Sequence, residues 1–229
     1  MLIDKVYKAV MQLINKDQIG GTLTPLEFNR YAEFAQREYV EEMYNRNDGM
    51  GYESTYDVSD FISAIKENTT ITVQNGTIAK PSNYLHYSSA YINTIFNDAG
   101  AVSPIELVRD DEWAERLASQ VNKPSKKFPI MRDMGSVYQL YPQDINNVNM
   151  TYLREPLEPW WNYTLSGSTP IFAETGGITT NPNSGVTAGD STDFEIQEFE
   201  DLVWKICKYI GIEIREGDLF NLSNAEQKD

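Results

Sequence analysis

The chain has almost nothing with which to perform nucleophilic or metal chemistry. One cysteine, Cys207, and one histidine, His86, stand among 229 residues. A lone cysteine forms no internal disulfide, and nothing marks an oxidising compartment. The same scarcity excludes a zinc or iron–sulfur site built within one chain. Basic residues are also few: 19 Lys and Arg face 34 Asp and Glu, a net charge of −15 with pI near 4.5. That balance argues against a grip on nucleic acid, which needs concentrated cations. It does not exclude nearness to DNA, because a conduit along which DNA must slide is better lined with repelling than with adhesive charge. Long apolar runs are missing too. The opening MLIDKVYKAVMQLINK is broken by Asp4, Lys5 and Lys8, so neither a signal peptide nor a membrane span is expected, and the expectation is a soluble protein made in a cytoplasm. There is no Walker A, no GxGxxG after a strand and no CxxC. GMG at 49–51 lacks the lysine and helix needed to cradle phosphate.

What is present is enough apolar matter for a core: 41% hydrophobic and 12% aromatic residues. Ile3, Val6, Tyr7, Val10, Leu13 and Ile14 recur at helical spacing over 2–16. A second helix is predicted from Pro25 to about Asn45, with Phe28, Tyr31, Ala32, Ala35, Tyr39 and Met43 along one side. Phe34 and Val40 lie off that stripe, so a second covered face is expected. Together the two helices predict an antiparallel hairpin. Between them, KDQIGGTLTPLEF invites a calcium-loop reading: from Lys16, Gly21 and Glu27 fall at the sixth and twelfth positions. Calcium needs oxygen donors at the first, third and fifth positions as well. Those are Lys16, Gln18 and Gly20, so the ligand set fails. Thr24-Pro25-Leu26-Glu27 instead reads as a capping box that starts the second helix.

Further on, NRNDGMGYEST reads as a polar loop, and Asp57 or Ser59 opens a short helix to about Glu67 with Phe61, Ala64 and Ile65 inward. TTITVQNGTIA then alternates around Asn75-Gly76, the strongest short hairpin signal. Extended segments are predicted from Tyr84 to Asn97, where YLHYSSAYINTIF also admits a partly helical reading, and over AVSPIELV, VYQLYP and VNMTYLREP, with PQDINN as a turn. Asp110-Asp111 would cap a short helix holding Trp113 and Leu117. NKPSKKFP reads as a basic connector. Residues 159–191 are rich in Gly, Ser, Thr and Asn with few apolar anchors, and a loop of that length is functional or disordered. Ile196 to Ile210 is the best helix, with Phe199, Leu202, Val203, Ile206 and Ile210 as its stripe and Gly211 as its C-cap. The predicted class is α+β, a terminal helical bundle with an inserted antiparallel β-rich region and a long Gly/Ser/Thr loop.

Each candidate for chemistry has a plainer reading. His86 lies among tyrosines with no carboxylate and nucleophile marked beside it, which favours a packed strand residue. Cys207, at the edge of an apolar stripe, reads as a small hydrophobe. Asp110, Asp111 and Glu112 form the densest carboxylate cluster, but they sit where a helix start wants negative charge. Lys123, Lys126 and Lys127 read as an exposed connector. Trp160 and Trp161 with Tyr163 carry two readings of equal weight: anchors of a protein interface, or closure of the core. No catalytic, cofactor-binding or metal residue is assigned.

The run INKDQIGGTLTPLEFNRYAEFAQREYVEEMYNR resembles the opening of neck proteins of tailed phages, the crAss-like group especially. Asn15, Lys16, Gly21, Leu23, Thr24, Pro25, Glu27, Phe28, Asn29, Ala32, Ala35, Gln36 and Glu38 carry the match. DDEWAERLAS, KPSKKFPI, YQLYP, YLREP and the closing Gly211-Ile212-Glu213-Ile214-Arg215 follow in an order similar to head-to-tail connector (ring or adaptor) proteins. The resemblance covers most of the chain outside 159–191. It implies a virion protein of the neck, assembled in the host cytoplasm. Members form a ring, commonly a dodecamer, between the portal protein and the next tail ring or hub protein, with DNA passing through unbound. It implies a single adaptor-like domain: a helical body from 1–67 and 196–211, a β-rich middle over 69–158, an extended loop over 159–191 and a tail over 212–229. The expected interface residues are Trp160, Trp161, Tyr163, Ile214, Arg215, Leu219 and Phe220. Two other classes stay open: a tail-associated wall hydrolase using paired carboxylates, and a monomeric binding module with a degenerate EF-hand-like corner.

Overall fold

The computed structural model describes residues 2–16, 23–49, 63–93, 102–183, 189–196 and 198–211. The fold is α+β. The chain divides into two compact units, one from residues 1–64 and 156–229, the other from residues 65–155.

The first unit is built on three helices, α1 (Leu2–Lys16), α2 (Pro25–Gly49) and, at the far end of the sequence, the helix Phe199–Ile210. Their stripes form one buried cluster: Ile3, Val6, Val10 and Leu13 from α1, Phe28, Ala32 and Ala35 from α2, and Leu202, Val203, Ile206 and Cys207 from the last helix. The expected pairing of α1 with α2 is not the dominant one. The last helix packs closely against each of them, while α1 and α2 meet through an edge-on contact of Tyr7 with Phe28 at 5.0 Å. Helix α2 also runs on to Gly49, four residues beyond the predicted end. The last helix begins at Phe199, leaving Ile196 buried ahead of it, and Gly211 caps it with φ 83.

The capping box at α2 forms as read. Thr24 N–H and Oγ–H both donate to Glu27 Oε2, at 2.9 and 2.7 Å, and Glu27 N–H returns to Thr24 Oγ1 at 3.3 Å. These bonds hold the Glu27 carboxyl below its ordinary value. The calcium-loop positions from Asp17 to Thr22 lie outside the described residues, but the glutamate that register needs is engaged with its own cap.

The second unit is a pair of four-stranded sheets. One has the order β1 (Lys66–Thr72), β8 (Asn147–Arg154), β3 (Tyr84–Asn93), β4 (Val102–Pro104). The other has the order β2 (Thr77–Ala79), β7 (Val137–Tyr141), β6 (Ile130–Asp133), β5 (Glu106–Leu107). Residues from both, including Ile78, Ala90, Ile92, Met131, Leu140, Val148 and Met150, make one buried cluster. Helix α3 (Asp110–Ala118) packs on β6, where Val108, Trp113 and Ile130 form a smaller cluster. Inside the sandwich, Tyr84 and Tyr138 share a hydroxyl hydrogen bond of 2.6 Å. The Lys80 ammonium lies over both rings and pairs with Asp133 at 2.8 Å.

Several expectations change here. The Asn75-Gly76 turn forms, with φ 52 and 72 as a type I′ turn requires. A Cβ on Gly76 would stand 3.1 Å from the Leu140 carbonyl oxygen. Its two arms, however, pair only at Gln74 and Thr77 before entering different sheets. AVSPIELV likewise holds two short strands in two sheets, with Ile105 buried between them. The strands over VYQLYP and VNMTYLREP are present but are not partners. Lys66 to Thr72 is strand, so the short helix expected to reach Glu67 is a single 3-10 turn over Ser63–Ile65, with Ala64 exposed and Ile65 buried; Phe61 lies outside the described residues. Arg109, rather than Asp110, stands at the N-cap of α3, and the two aspartates fall in its first turn. Strand β6 went unpredicted.

Candidate interaction surface

The segment 156–196 belongs to the first unit, and its described residues cross the helices of that unit as a strap. It is not the unanchored loop its composition suggests. A hairpin of β9 (Tyr163–Ser166) and β10 (Thr169–Phe172) rises from it, closed by Gly167 with φ 65 at the first position of a two-residue turn. Outside the hairpin, main-chain bonds such as the Trp160–Thr192 pair are joined by bonds from side chains to the described backbone. Asn29 of α2 exchanges two bonds with the Trp161 main chain, at 3.2 and 2.8 Å. Gln36, about two turns further on, donates to the Leu157 carbonyl at 2.8 Å and accepts from Glu195 N–H at 2.9 Å. Asp193 caps α1, accepting from Leu2 and Ile3 N–H at 2.9 and 2.7 Å.

Within the strap, Asn162 is fully buried. Its Oδ1 accepts from Tyr163 N–H, Thr179 N–H and the Thr179 hydroxyl, and its Nδ2 donates to the Thr179 carbonyl at 2.6 Å. Asn181 and Asn183 repeat the device. Asn183 exchanges bonds with the Glu158 main chain at 3.0 and 2.8 Å, and Asn181 donates to the Asp190 carbonyl. Irregular backbone can be buried only when each N–H and C=O finds such a partner.

Of the expected interface residues, Trp161 is corrected. It is 1% exposed, stacks on Tyr7 with centroids 3.9 Å apart, and donates its indole N–H to Asp4. Its flat ring fills the space between α1 and the strap, so it closes the core and presents no surface to a partner. Trp160 is half-buried, bridged to Thr192, with its indole N–H on Thr179 Oγ1. Tyr163 is half-buried and stacks on Trp161. Ile214, Arg215, Leu219 and Phe220 lie outside the described residues.

The candidates for chemistry resolve as local structure. Asp110 pairs with Arg132, and Asp111 and Glu112 pair with Arg109, which holds the Arg109 guanidinium above its ordinary value through the Glu112 hydrogen bond first. His86 sits opposite Leu153 on β3, and Cys207 is buried. Lys126 pairs with Asp144, and the Lys127 ammonium lies over Phe128. Among the described residues no group of three His, Cys, Asp or Glu could hold a metal ion, and no helix is long and apolar enough to cross a membrane.

Two surface features escaped the sequence reading. Phe34, expected under a second covered face, is 47% exposed and lies against Tyr209 at 5.9 Å, whereas Val40 is buried. The Tyr209 hydroxyl donates to Glu38 at 2.7 Å. That bond raises Tyr209 to about 12 and, with Lys208 and Lys205, lowers Glu38. The second feature is the β9–β10 hairpin, with Leu165 and Ile171 more than half exposed. The alternation of Tyr163 and Leu165 before Ser-Gly-Ser, with Ile171 and Phe172 after it, was its available signal. No protein-family model matches the chain, and no curated protein matches it.

Proposed function

We propose that the chain is a structural protein of a phage neck, forming a ring that joins the portal to the next tail ring or hub protein and lets DNA pass. One observation carries this reading furthest. Asn29 and Gln36, polar members of the run that resembles neck proteins, hold the strap backbone in place. Residues at these positions therefore maintain a shape. The acidic balance of the chain supports a channel that does not retain DNA.

In this reading the protein is not an enzyme. The first unit, stiffened by its strap, supplies a wedge that repeats around the ring, and each contact can be weak because closure multiplies it. The test is the mass of the purified protein by light scattering, alone and with the portal protein of the same virus. A large complex of fixed stoichiometry is expected. A chain that stays monomeric in both conditions would overturn the ring, and clearing of cell wall in a zymogram would point to the hydrolase instead.

A further inference from the structure

Two open sheets have four edges, and in the second unit three of them are cut short. Strand β4 has three residues and ends on Pro104, β2 has three and β5 has two. Short strands and proline keep a sheet edge from pairing with another chain. The fourth edge, β1, is different. It runs for seven residues without proline, and its register with β8 is unbroken from Lys66 to Thr72. Its one guard is Lys66, at the first position. None of its residues is buried, whereas Val148, Met150, Tyr152 and Leu153 of β8 all are. In an antiparallel pair every second residue turns its N–H and C=O away from the partner. On the outer side of β1 no strand among the described residues takes those groups up.

A row of main-chain donors and acceptors selects its occupant by chemistry: an extended backbone that pairs with it and continues the sheet. The two faces of β1 specify the side chains of that backbone. Lys66, Asn68, Thr70 and Thr72 are exposed, while Glu67, Thr69 and Ile71 are half-buried, with Ile71 packed against the sandwich core. An added strand therefore needs apolar residues alternating with charged or polar ones. Past Gly211 the sequence continues Ile212-Glu213-Ile214-Arg215-Glu216, which has that alternation. Residues 212–229 lie outside the described residues. We propose that this stretch of one copy adds to the outer edge of β1 in the next copy. Ile212 and Ile214 then lie on the face of Ile71, and Glu213 and Arg215 on the face of Lys66. Donor and acceptor are different surfaces, so the contact is head-to-tail, the kind that closes a ring. The proposal rests on the ring reading above and assigns the contact that builds it.

The test is hydrogen exchange of the full chain over a concentration series, alone and with the portal protein, with light scattering of the same samples. As copies associate, every second amide of β1 should slow about tenfold or more, while amides of β8 stay as they were. Ile212→Pro with Ile214→Pro takes two N–H groups from the added strand and should abolish that slowing and weaken association. Ile212→Val with Ile214→Val keeps the alternation and should keep both. These positions lie beyond the cap of the last helix, and unchanged exchange in β8 checks that the sandwich is kept. Amides of β1 that stay fast in an associated chain would overturn the strand addition and leave the ring standing. Slowing that survives the proline pair would overturn the tail as the occupant of the edge. Slowing independent of concentration would overturn its coming from a neighbouring copy. An unsubstituted chain that is monomeric throughout would overturn both the contact and the ring.

Discussion

Asparagine does opposite work in the two units. On the β1–β8 pair of the sandwich, Asn68 donates to Thr151 at 2.7 Å and Asn149 accepts from Thr70 at 2.6 Å, in bonds on the exposed face. In the strap, Asn162, Asn181 and Asn183 are buried. The difference lies in the neighbouring backbone. Sheet ladders already pair the main chain of β1 and β8, so their asparagines are left to solvent and to threonines on the facing strand. The strap has only a short ladder, so its amides turn inward and complete the main chain's hydrogen bonds. Burial of a polar side chain here follows the unmet demand of nearby peptide groups more than the polarity of the side chain itself.

Substitutions can break this contrast. Trp161→Ala removes the ring between Tyr7 and the strap and should cost about 4 kcal/mol, read as a lowered midpoint in urea. Asn162→Ala leaves Tyr163 N–H and both Thr179 backbone groups without their partner, and should cost about 3 kcal/mol. Rapid hydrogen exchange at Tyr163 and Thr179 would accompany it; protection equal to that of the unsubstituted chain would remove the claim that Asn162 holds the strap.

The bond between Tyr209 and Glu38 sharpens the picture at the helices. A tyrosine whose folded pKa is raised to about 12 contributes stability that is complete below pH 10 and lost as pH rises through 12. Tyr209→Phe should therefore flatten the alkaline decline of the melting temperature over that window. Smallest of all, Asn149→Ala on the exposed sheet face should change stability by less than about 0.5 kcal/mol. A loss as large as that of Asn162→Ala would erase the distinction between the two regions.

The sequence made some of this legible. Apolar spacing placed α1 and the last helix, Gly211 marked its end, and Thr24 with Glu27 marked the start of α2, because each signal acts within a few residues. Asn75-Gly76 gave a turn for the same reason. Where its arms go is decided by partners sixty or more residues away, Tyr138 for Ile78 and Val148 for Ile71, and no local pattern reports that. The strap was misread because Gly, Ser, Thr and Asn signal a lack of regular ladder, which is true, while their role as substitutes for the ladder depends on Asn29 and Gln36 far upstream. Trp161 allows two readings in the sequence because what decides between them, the Tyr7 ring stacked against it, lies more than 150 residues away.

The cap of α1 sets an order of events. Leu2 and Ile3 are made early, yet the carboxylate that satisfies their N–H groups belongs to Asp193, 191 residues from Leu2. On a ribosome the helix must wait, uncapped, while the whole sandwich between Ile65 and Glu155 is synthesised and can fold. Only when the strap and the last helix emerge does the first helix acquire its cap and the helix it packs against most closely. Closing so long a loop adds little entropy over a shorter one, so the delay is a matter of timing. The nascent first unit is the part of this chain with the longest exposure to chaperones and to its own neighbours.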